Sequence, residues 1–142
     1  MWNHQGGAYM KILHYETPNA IVVPMRGSQG VTIRKPIAIQ DGAPTFTMRV
    51  FTFEPNGRIP YHKHDHEHEV FIVKGSGEIL YEGGKKPVVQ GSVVFVTPGE
   101  FHGFNAGPEG MQMLCLVPKR ACEVGAPAAT PGEWKDEGKD LA

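Results

Sequence analysis

Residues 60–69 read Pro-Tyr-His-Lys-His-Asp-His-Glu-His-Glu and hold four of the seven histidines of the chain. Imidazole is a common ligand of divalent metals, so this density predicts a metal site. His62 and His64 are two residues apart, and alternate side chains of a strand share a face, so both rings can reach one ion. A straight strand would spread the four rings over about 20 Å. We therefore expect a bend at Asp65, which brings one later ligand back to the site.

The residue that returns is not fixed by side-chain alternation alone. If His68 faces inward, Val70 and Ile72 share its face, whereas an inward Glu69 would be followed by Phe71. Both faces of this strand are apolar, as in a sheet that is covered on two sides. His68 and Glu69 both remain candidates at this point.

The flanking sequence predicts a β-rich domain. β-branched and aromatic runs alternate with Gly, Pro and Asn at intervals of roughly eight to twelve residues, which is typical of a β-sandwich or barrel. We interpret residues 1–19 as an N-terminal extension or edge segment, 20–122 as the barrel and 123–142 as a flexible tail. The predicted strands cover residues 21–23, 31–39, 46–53, 69–74, 78–81, 92–96 and 111–117.

Composition excludes several classes of protein. Fourteen Lys and Arg against 15 Asp and Glu give a net charge of −1, which argues against nucleic-acid binding. No apolar run approaches the ~20 residues of a membrane span, and no secretory signal is visible. The two cysteines are too few for a disulfide framework and favour a reducing, cytoplasmic setting.

The histidine stretch resembles the first motif of the cupin family. That motif has two histidines separated by one residue, a third ligand after three or four further residues, and then a glycine. His68 has three residues between it and His64 and six between it and Gly75, whereas Glu69 fits only the four-residue variant. The resemblance implies His62, His64 and His68 as ligands, with Glu69 as the rival third ligand, and it leaves His66 outside the site.

A second stretch resembles the second cupin motif, which implies His102 as a further ligand. Gly91 is followed by Pro98 and Gly99, and the histidine comes three residues after that glycine. Two departures occur: six rather than five residues separate Gly91 from Pro98, and Asn105 comes one residue early. Neither departure removes the histidine.

The resemblance implies an all-β cupin fold, the double-stranded β-helix or jelly-roll barrel. It is strongest for small single-domain cupins with four-histidine sites, including a manganese-binding bacterial type. It favours Mn and then Fe, although a nitrogen-rich site also accepts Zn, Ni, Co or Cu. Cupins commonly dimerise through their sheets, so we expect a homodimer.

Parity suggests which side chains line the pocket. Phe104 lies two residues after His102, so on a strand the two side chains share a face, and Phe104 should face the metal. If polar Gln112 faces outward, then Met113, Cys115 and Val117 face inward. Cys115 is either an inert buried thiol or a residue near the metal that is open to oxidation.

Two residues of an earlier strand complete the candidate pocket. Ile59 precedes the ligands and could cap the entrance. An inward Arg49 could hold an anionic substrate or a peroxide, whereas an outward Arg49 would be an ordinary surface or interface charge.

Four protein ligands on a six-coordinate ion leave two positions for dioxygen, a peroxide or a bidentate substrate. We therefore predict a metal-dependent oxidoreductase of dioxygenase type that acts on a small organic molecule. Non-redox isomerase or lyase chemistry is an alternative, and its general base would be Glu69, Glu67 or His66. A non-catalytic module that binds a metal or a small ligand is the third hypothesis.

Overall fold

The computed structural model describes residues 10–134. It contains eight β-strands and two short 3₁₀ turns, at Ile39–Asp41 and Lys119–Cys122. The strands are β1 (Ile21–Val22), β2 (Gln29–Ile37), β3 (Phe46–Lys63), β4 (His68–Tyr81), β5 (Gly84–Val89), β6 (Val93–Val96), β7 (His102–Pro118) and β8 (Thr130–Pro131). No helix in this part of the chain is long and apolar enough to cross a membrane.

All strand pairs are antiparallel. The order across the sheet is β1-β2-β3-β7-β4-β5, with β6 paired to β4 and β8 paired to β3. Strand β7 is the centre of the fold, because it pairs with β3 on one side and with β4 on the other. The predicted all-β barrel class is confirmed.

The long strands bend through bulges rather than ending. The sequence predicts a strand end at Pro55-Asn56-Gly57, but β3 continues, with a register shift between Phe53 and Arg58. Asn56 has a φ of 61°, the left-handed conformation that asparagine tolerates better than most residues. The bulge gives the strand the curvature that closes a barrel.

The inner face of the sheet forms the hydrophobic core. Val70 and Ile72 of β4 are buried, whereas Phe71 is exposed on the outer face. On β7 the three predicted inward residues are all buried: Met113, Cys115 and Val117.

Gln112 lies on the outer face of β7, as predicted, but its side chain is buried rather than exposed to solvent. It is buried because the N-terminal segment covers it. Its side-chain amide donates hydrogen bonds to the hydroxyls of Tyr15 and Thr52, at 3.2 and 3.1 Å. An ion pair of 2.7 Å between Lys11 and Asp41 also attaches this segment to the barrel.

Part of the predicted C-terminal tail pairs with the barrel. Thr130 and Pro131 pair with Lys63 and His62, and the backbone N–H of Gly132 donates to the carbonyl of Tyr61 at 3.0 Å. This part of residues 123–134 therefore adds an edge to β3, next to the histidines. The prediction for residues 135–142, like that for 1–9, lies outside the described residues.

Candidate metal centre

Four histidines converge at one end of the barrel because three long strands end or begin there. His62 on β3 and His102, the first residue of β7, are direct cross-strand partners, and their ring centroids lie 4.4 Å apart. His64 follows β3 directly, and His68 is the first residue of β4. All four are buried.

The predicted bend lies between β3 and β4, at residues 65 and 66. Here the ring of His66 stacks on that of His64, with a centroid distance of 3.9 Å and an interplanar angle of 3°. The backbone carbonyl of His66 also bonds the ring of His64. His66 thus orients a neighbouring histidine through its backbone and its ring.

Backbone carbonyls fix the tautomer of three rings. A carbonyl oxygen can only accept, so each bonded Nδ1 must donate its hydrogen. A neutral ring then has its lone pair at Nε2, which is the atom free to bind a metal. The three bonds are His62 to Pro60 (2.7 Å), His64 to His66 (2.8 Å) and His102 to Glu100 (2.9 Å).

These three rings fit a divalent cation. The donor atoms of His62, His64 and His102 all lie within 4.8 Å of one another. The Nε2 atom of His102 is buried and has no hydrogen-bond partner among the described residues. A buried polar atom without a partner is costly, and a metal bond would satisfy it.

His68 is placed differently from the other three. Its Nε2 lies 2.5 Å from the Nε2 of His64, whereas its Nδ1 faces the Sγ of Cys115 at 2.8 Å and an Nη2 of Arg49 at 3.1 Å. A guanidinium only donates, so Nδ1 accepts from it and a neutral His68 then carries its hydrogen at Nε2. Binding of a metal by His68 requires the other tautomer, in which Nδ1–H points at the sulfur.

Burial holds these imidazoles in the neutral form that metals require. Burial, assisted by neighbouring histidines, lowers the pKa of His64 to about 4 and the pKa of His102 to about 3. Burial also lowers the pKa of His62, and the pKa of His68 is lowered well below its ordinary value by burial and by Arg49.

A cavity of about 850 Å³ opens onto the histidines. Four of the predicted pocket residues line it: Arg49, Ile59, Phe104 and Met113. Cys115 and Val117 do not; they are buried in the core, with Cys115 directly behind Arg49 and His68.

Of the two orientations that the sequence allows for Arg49, the structure shows the inward one, because this residue lines the cavity. Its Nη2 donates to the Sγ of Cys115 at 3.2 Å, and its guanidinium lies 5.1 Å from the ring centroid of Phe51. Glu69, by contrast, is exposed on the outer face of β4, away from the site. Glu67 lies 3.4 Å from Arg120, also outside the cavity lining.

Sequence reasoning missed part of the cavity wall. Tyr61 lines the cavity and stacks on Phe101 at a centroid distance of 5.3 Å; its position next to His62 was the available signal. The C-terminal segment contributes four further lining residues, for which its Ala/Pro/Gly composition gave no signal: Pro127, Ala129, Pro131 and Gly132.

Comparison with known proteins identifies relatives of this arrangement. Residues 49–117 match the family described as the cupin domain. The polyketide cyclase RemF from Streptomyces resistomycificus is 31% identical, with a TM-score of 0.80 over 92% of this chain and 91% of that chain.

Two further solved structures share the fold at lower identity. Ectoine synthase from P. lautus is 21% identical, with a TM-score of 0.65 over 78% of each chain. A cupin 2 conserved barrel domain protein from Rhodopseudomonas palustris is 24% identical, with a TM-score of 0.66 over 80% of this chain and 74% of that chain. No curated protein sequence matches the chain.

Proposed function

Because the chain belongs to the cupin superfamily, we propose that its histidine cluster holds one divalent metal ion and that the protein is a metal-dependent enzyme. The reaction that we propose is non-oxidative ring closure or elimination on an apolar carbonyl compound. The observation that carries this proposal is the 31% identity with a polyketide cyclase over nearly the whole chain, combined with a large cavity on the histidines.

His62, His64 and His102 would bind the ion through Nε2, and His68 would be the fourth ligand after a change of tautomer. A bound ion would polarise a substrate carbonyl as a Lewis acid. The rigid bonds from the Nδ1 atoms to backbone carbonyls hold three rings in position before substrate arrives, which limits reorganisation during the reaction.

The cavity suits an apolar substrate of several rings or an equivalent chain. Its volume of about 850 Å³ is near the upper end of the usual range for small-molecule pockets. Aliphatic and aromatic side chains form most of its wall, including Ile33, Phe51, Ile59 and Phe104. Such a wall excludes water from a reactive carbonyl compound and favours a compact, folded conformation of the substrate.

Proton transfer and hydrogen bonding to the substrate would fall to His66 and Tyr61, because within residues 10–134 no aspartate or glutamate lines the cavity. Burial lowers the pKa of His66 to about 3, so its imidazole is neutral near pH 7 but only weakly basic, and it could accept a proton only from a substrate that a bound ion has made more acidic. Burial, together with Glu82 and Glu100, raises the pKa of Tyr61, so its phenol keeps its hydrogen and could donate a hydrogen bond to a substrate oxygen.

An oxidoreductase of dioxygenase or peroxide-using type is the second candidate. The observation that favours it is the donor set, because an all-nitrogen site binds Mn and Fe as well as Zn, Ni, Co and Cu. Three or four histidine ligands would also leave coordination positions on a six-coordinate ion for dioxygen or a peroxide. The two free cysteines, Cys115 and Cys122, suit the cytoplasmic setting that we propose for either reaction.

Metal analysis of protein without a histidine tag is the first test. We expect wild type to retain about one ion per chain and His102→Ala to retain almost none, because this substitution removes a ligand. His14→Ala is the matched control, since His14 lies on the surface outside the cavity. Wild type without bound metal would contradict the proposal.

The reaction type is tested with a poly-β-ketone analogue. We expect the Zn-loaded protein to cyclise or dehydrate it without oxygen. Turnover only by the Fe or Mn form, and only with dioxygen or peroxide, would support the oxidoreductase and overturn the first proposal.

The fourth ligand is tested by a pair of neighbouring substitutions. We expect His68→Ala to lower metal affinity about 10- to 100-fold, since it removes a ring whose Nε2 lies at the site. Glu69→Ala should leave the affinity unchanged because this side chain faces solvent. Equilibrium dialysis with a competing chelator measures both, and the reverse result would assign Glu69 as the ligand.

A further inference from the structure

We infer that the cavity selects a substrate that carries a negative charge, a carboxylate or an acidic enol, on an apolar body. This inference rests on the proposed function, because it names the class of substrate for that site. Its basis is the charge of the cavity wall: Arg26, Lys35 and Arg49 line it, and no acidic residue does so among the residues that the structure describes.

Arg49 provides the strongest part of the argument. Among residues 10–134, its Nη2 forms hydrogen bonds with Cys115 and His68, a thiol and an imidazole, and its Nε is buried without a hydrogen-bond partner. A partly buried guanidinium is stabilised by a carboxylate, and because no acidic residue of the described part of the chain lines the cavity, a ligand would supply one.

A metal ion would strengthen the same preference. Four neutral imidazoles leave the charge of a divalent ion uncompensated, and Arg49 lies next to one of these rings. An anionic group placed between the ion and Arg49 would be attracted by both. A cationic substrate would be repelled by both, and a neutral one would leave the guanidinium unpaired.

The other two cations are exposed and therefore lie at the outer part of the cavity. Exposed charges contribute little to affinity, but they raise the rate at which anions reach a site. The same cavity wall also contains the apolar side chains of Ile33, Ile37 and Phe51. This arrangement fits a molecule whose acidic group enters first and whose apolar part fills the space behind it.

Two probes of equal shape test the preference: 2-naphthoate, which is an anion, and 2-naphthamide, which is neutral. We expect metal-loaded wild type to bind the anion about tenfold more tightly in calorimetric titrations, with the difference shrinking as salt is added. Equal affinities, tighter binding of the amide, or no binding of either probe would each overturn the inference.

Substitutions identify the residues responsible. Arg49→Gln should reduce the preference to about twofold or less, and Lys35→Gln should slow association of the anion while leaving the amide unaffected. Lys74→Gln is the control, because Lys74 is exposed on β4 and does not line the cavity. If Arg49→Gln does not fold, the association rates of naphthoate with Lys35→Gln and with Lys74→Gln test the inference instead. Equal rates in these two variants would overturn it.

Metal analysis and titration of chelator-treated protein separate this inference from the proposed function. Arg49 remains without the ion, so a weaker preference for naphthoate should survive. Wild type that retains metal but binds both probes equally would overturn the inference alone. A preference for naphthoate in protein that never retains metal would overturn the metal-dependent function and leave the inference standing.

Discussion

At the scale of single residues, the two cysteines occupy contrasting environments. Cys115 is fully buried between Arg49 and His68, and burial raises the pKa of its thiol. Cys122 is partly exposed on the cavity wall. We expect iodoacetamide to label Cys122 well before Cys115 in the native protein, because the reagent needs access and a thiolate.

Peptide mass spectrometry measures this labelling, and denaturation in urea should make the two rates similar. Equal rates in the native state would show that Cys115 is accessible, which would support the interpretation of this residue as an oxidisable thiol near the metal.

The buried histidines also predict a pH dependence of stability. An unfolded histidine titrates near pH 6.5, whereas the pKa of His64 is about 4 and that of His102 about 3 in the folded chain. Between these values the unfolded state binds more protons, so acid favours unfolding. We expect the free energy of unfolding of metal-free protein to fall as the pH decreases from 6.5 to about 4, as measured by urea denaturation.

His102→Asn should make this dependence less steep, since it removes one of the titrating groups. A free energy of unfolding that is constant between pH 6.5 and 4 in wild type would contradict the pKa values.

Sequence alone predicted the histidines more reliably than the residues around them. The spacing of His62 and His64 follows directly from strand geometry. The orientation of Arg49 was left open because apolar residues occur on both faces of its strand, so alternation could not show which face is inside. The burial of Gln112 was not predicted because the segment that covers it, at Tyr15, is almost a hundred residues distant in sequence.

At the scale of elements, glycines at the bulges allow the strands to bend. Gly75 has a φ of 80°, and a Cβ there would overlap the carbonyl oxygen of Gly110 on β7. Gly91, in the turn between β5 and β6, has a similar φ of 90°, but a Cβ there would meet no atom within 4 Å. An alanine at Gly91 would therefore cause backbone strain alone, whereas an alanine at Gly75 would cause both backbone strain and steric overlap.

We expect Gly91→Ala to cost about 1–2 kcal/mol, the strain of a left-handed alanine. Gly75→Ala should cost more than about 3 kcal/mol, because the backbone of β7 must also move. Urea denaturation monitored by circular dichroism measures both values. An equal loss of free energy of unfolding in the two variants would show that β7 moves away from β4 easily at Gly75.

The same bulges explain why strand boundaries were only partly predictable. Residues 69–74 and 78–81 were predicted as two strands, and the chain joins them into β4 through Gly75 and Gly77. No strand was predicted over Gly84–Val89, because its two lysines and a proline have low strand propensity, although the segment pairs with β4. Pairing with a neighbouring strand, rather than local propensity, determines these elements.

At the scale of the whole molecule, one outer face of the barrel is unusually apolar. Phe71 and Val73 of β4 are exposed next to Val93 and Phe95 of β6, which are 75% and 61% exposed. Contiguous exposed apolar groups are typical of protein interfaces. We expect this face to bury itself against a second copy of the chain, forming the homodimer that the sequence predicts.

The charges at its margins favour a twofold arrangement. Glu69 and Lys74 are exposed at opposite ends of the same stretch of β4. If two copies meet with their β4 strands antiparallel, Glu69 of each faces Lys74 of the other, as a self-complementary interface requires.

Sedimentation velocity tests this prediction. We expect wild type to be a dimer and Phe71→Glu to shift it towards monomer, because the variant would bury an unpaired charge at the centre of the face. Val124→Glu is the control, since Val124 is a fully exposed apolar residue outside this sheet. A monomeric wild type would contradict the prediction. A dimer that survives Phe71→Glu would place the interface elsewhere, and the exposed edge strand β1 would then be the next segment to substitute.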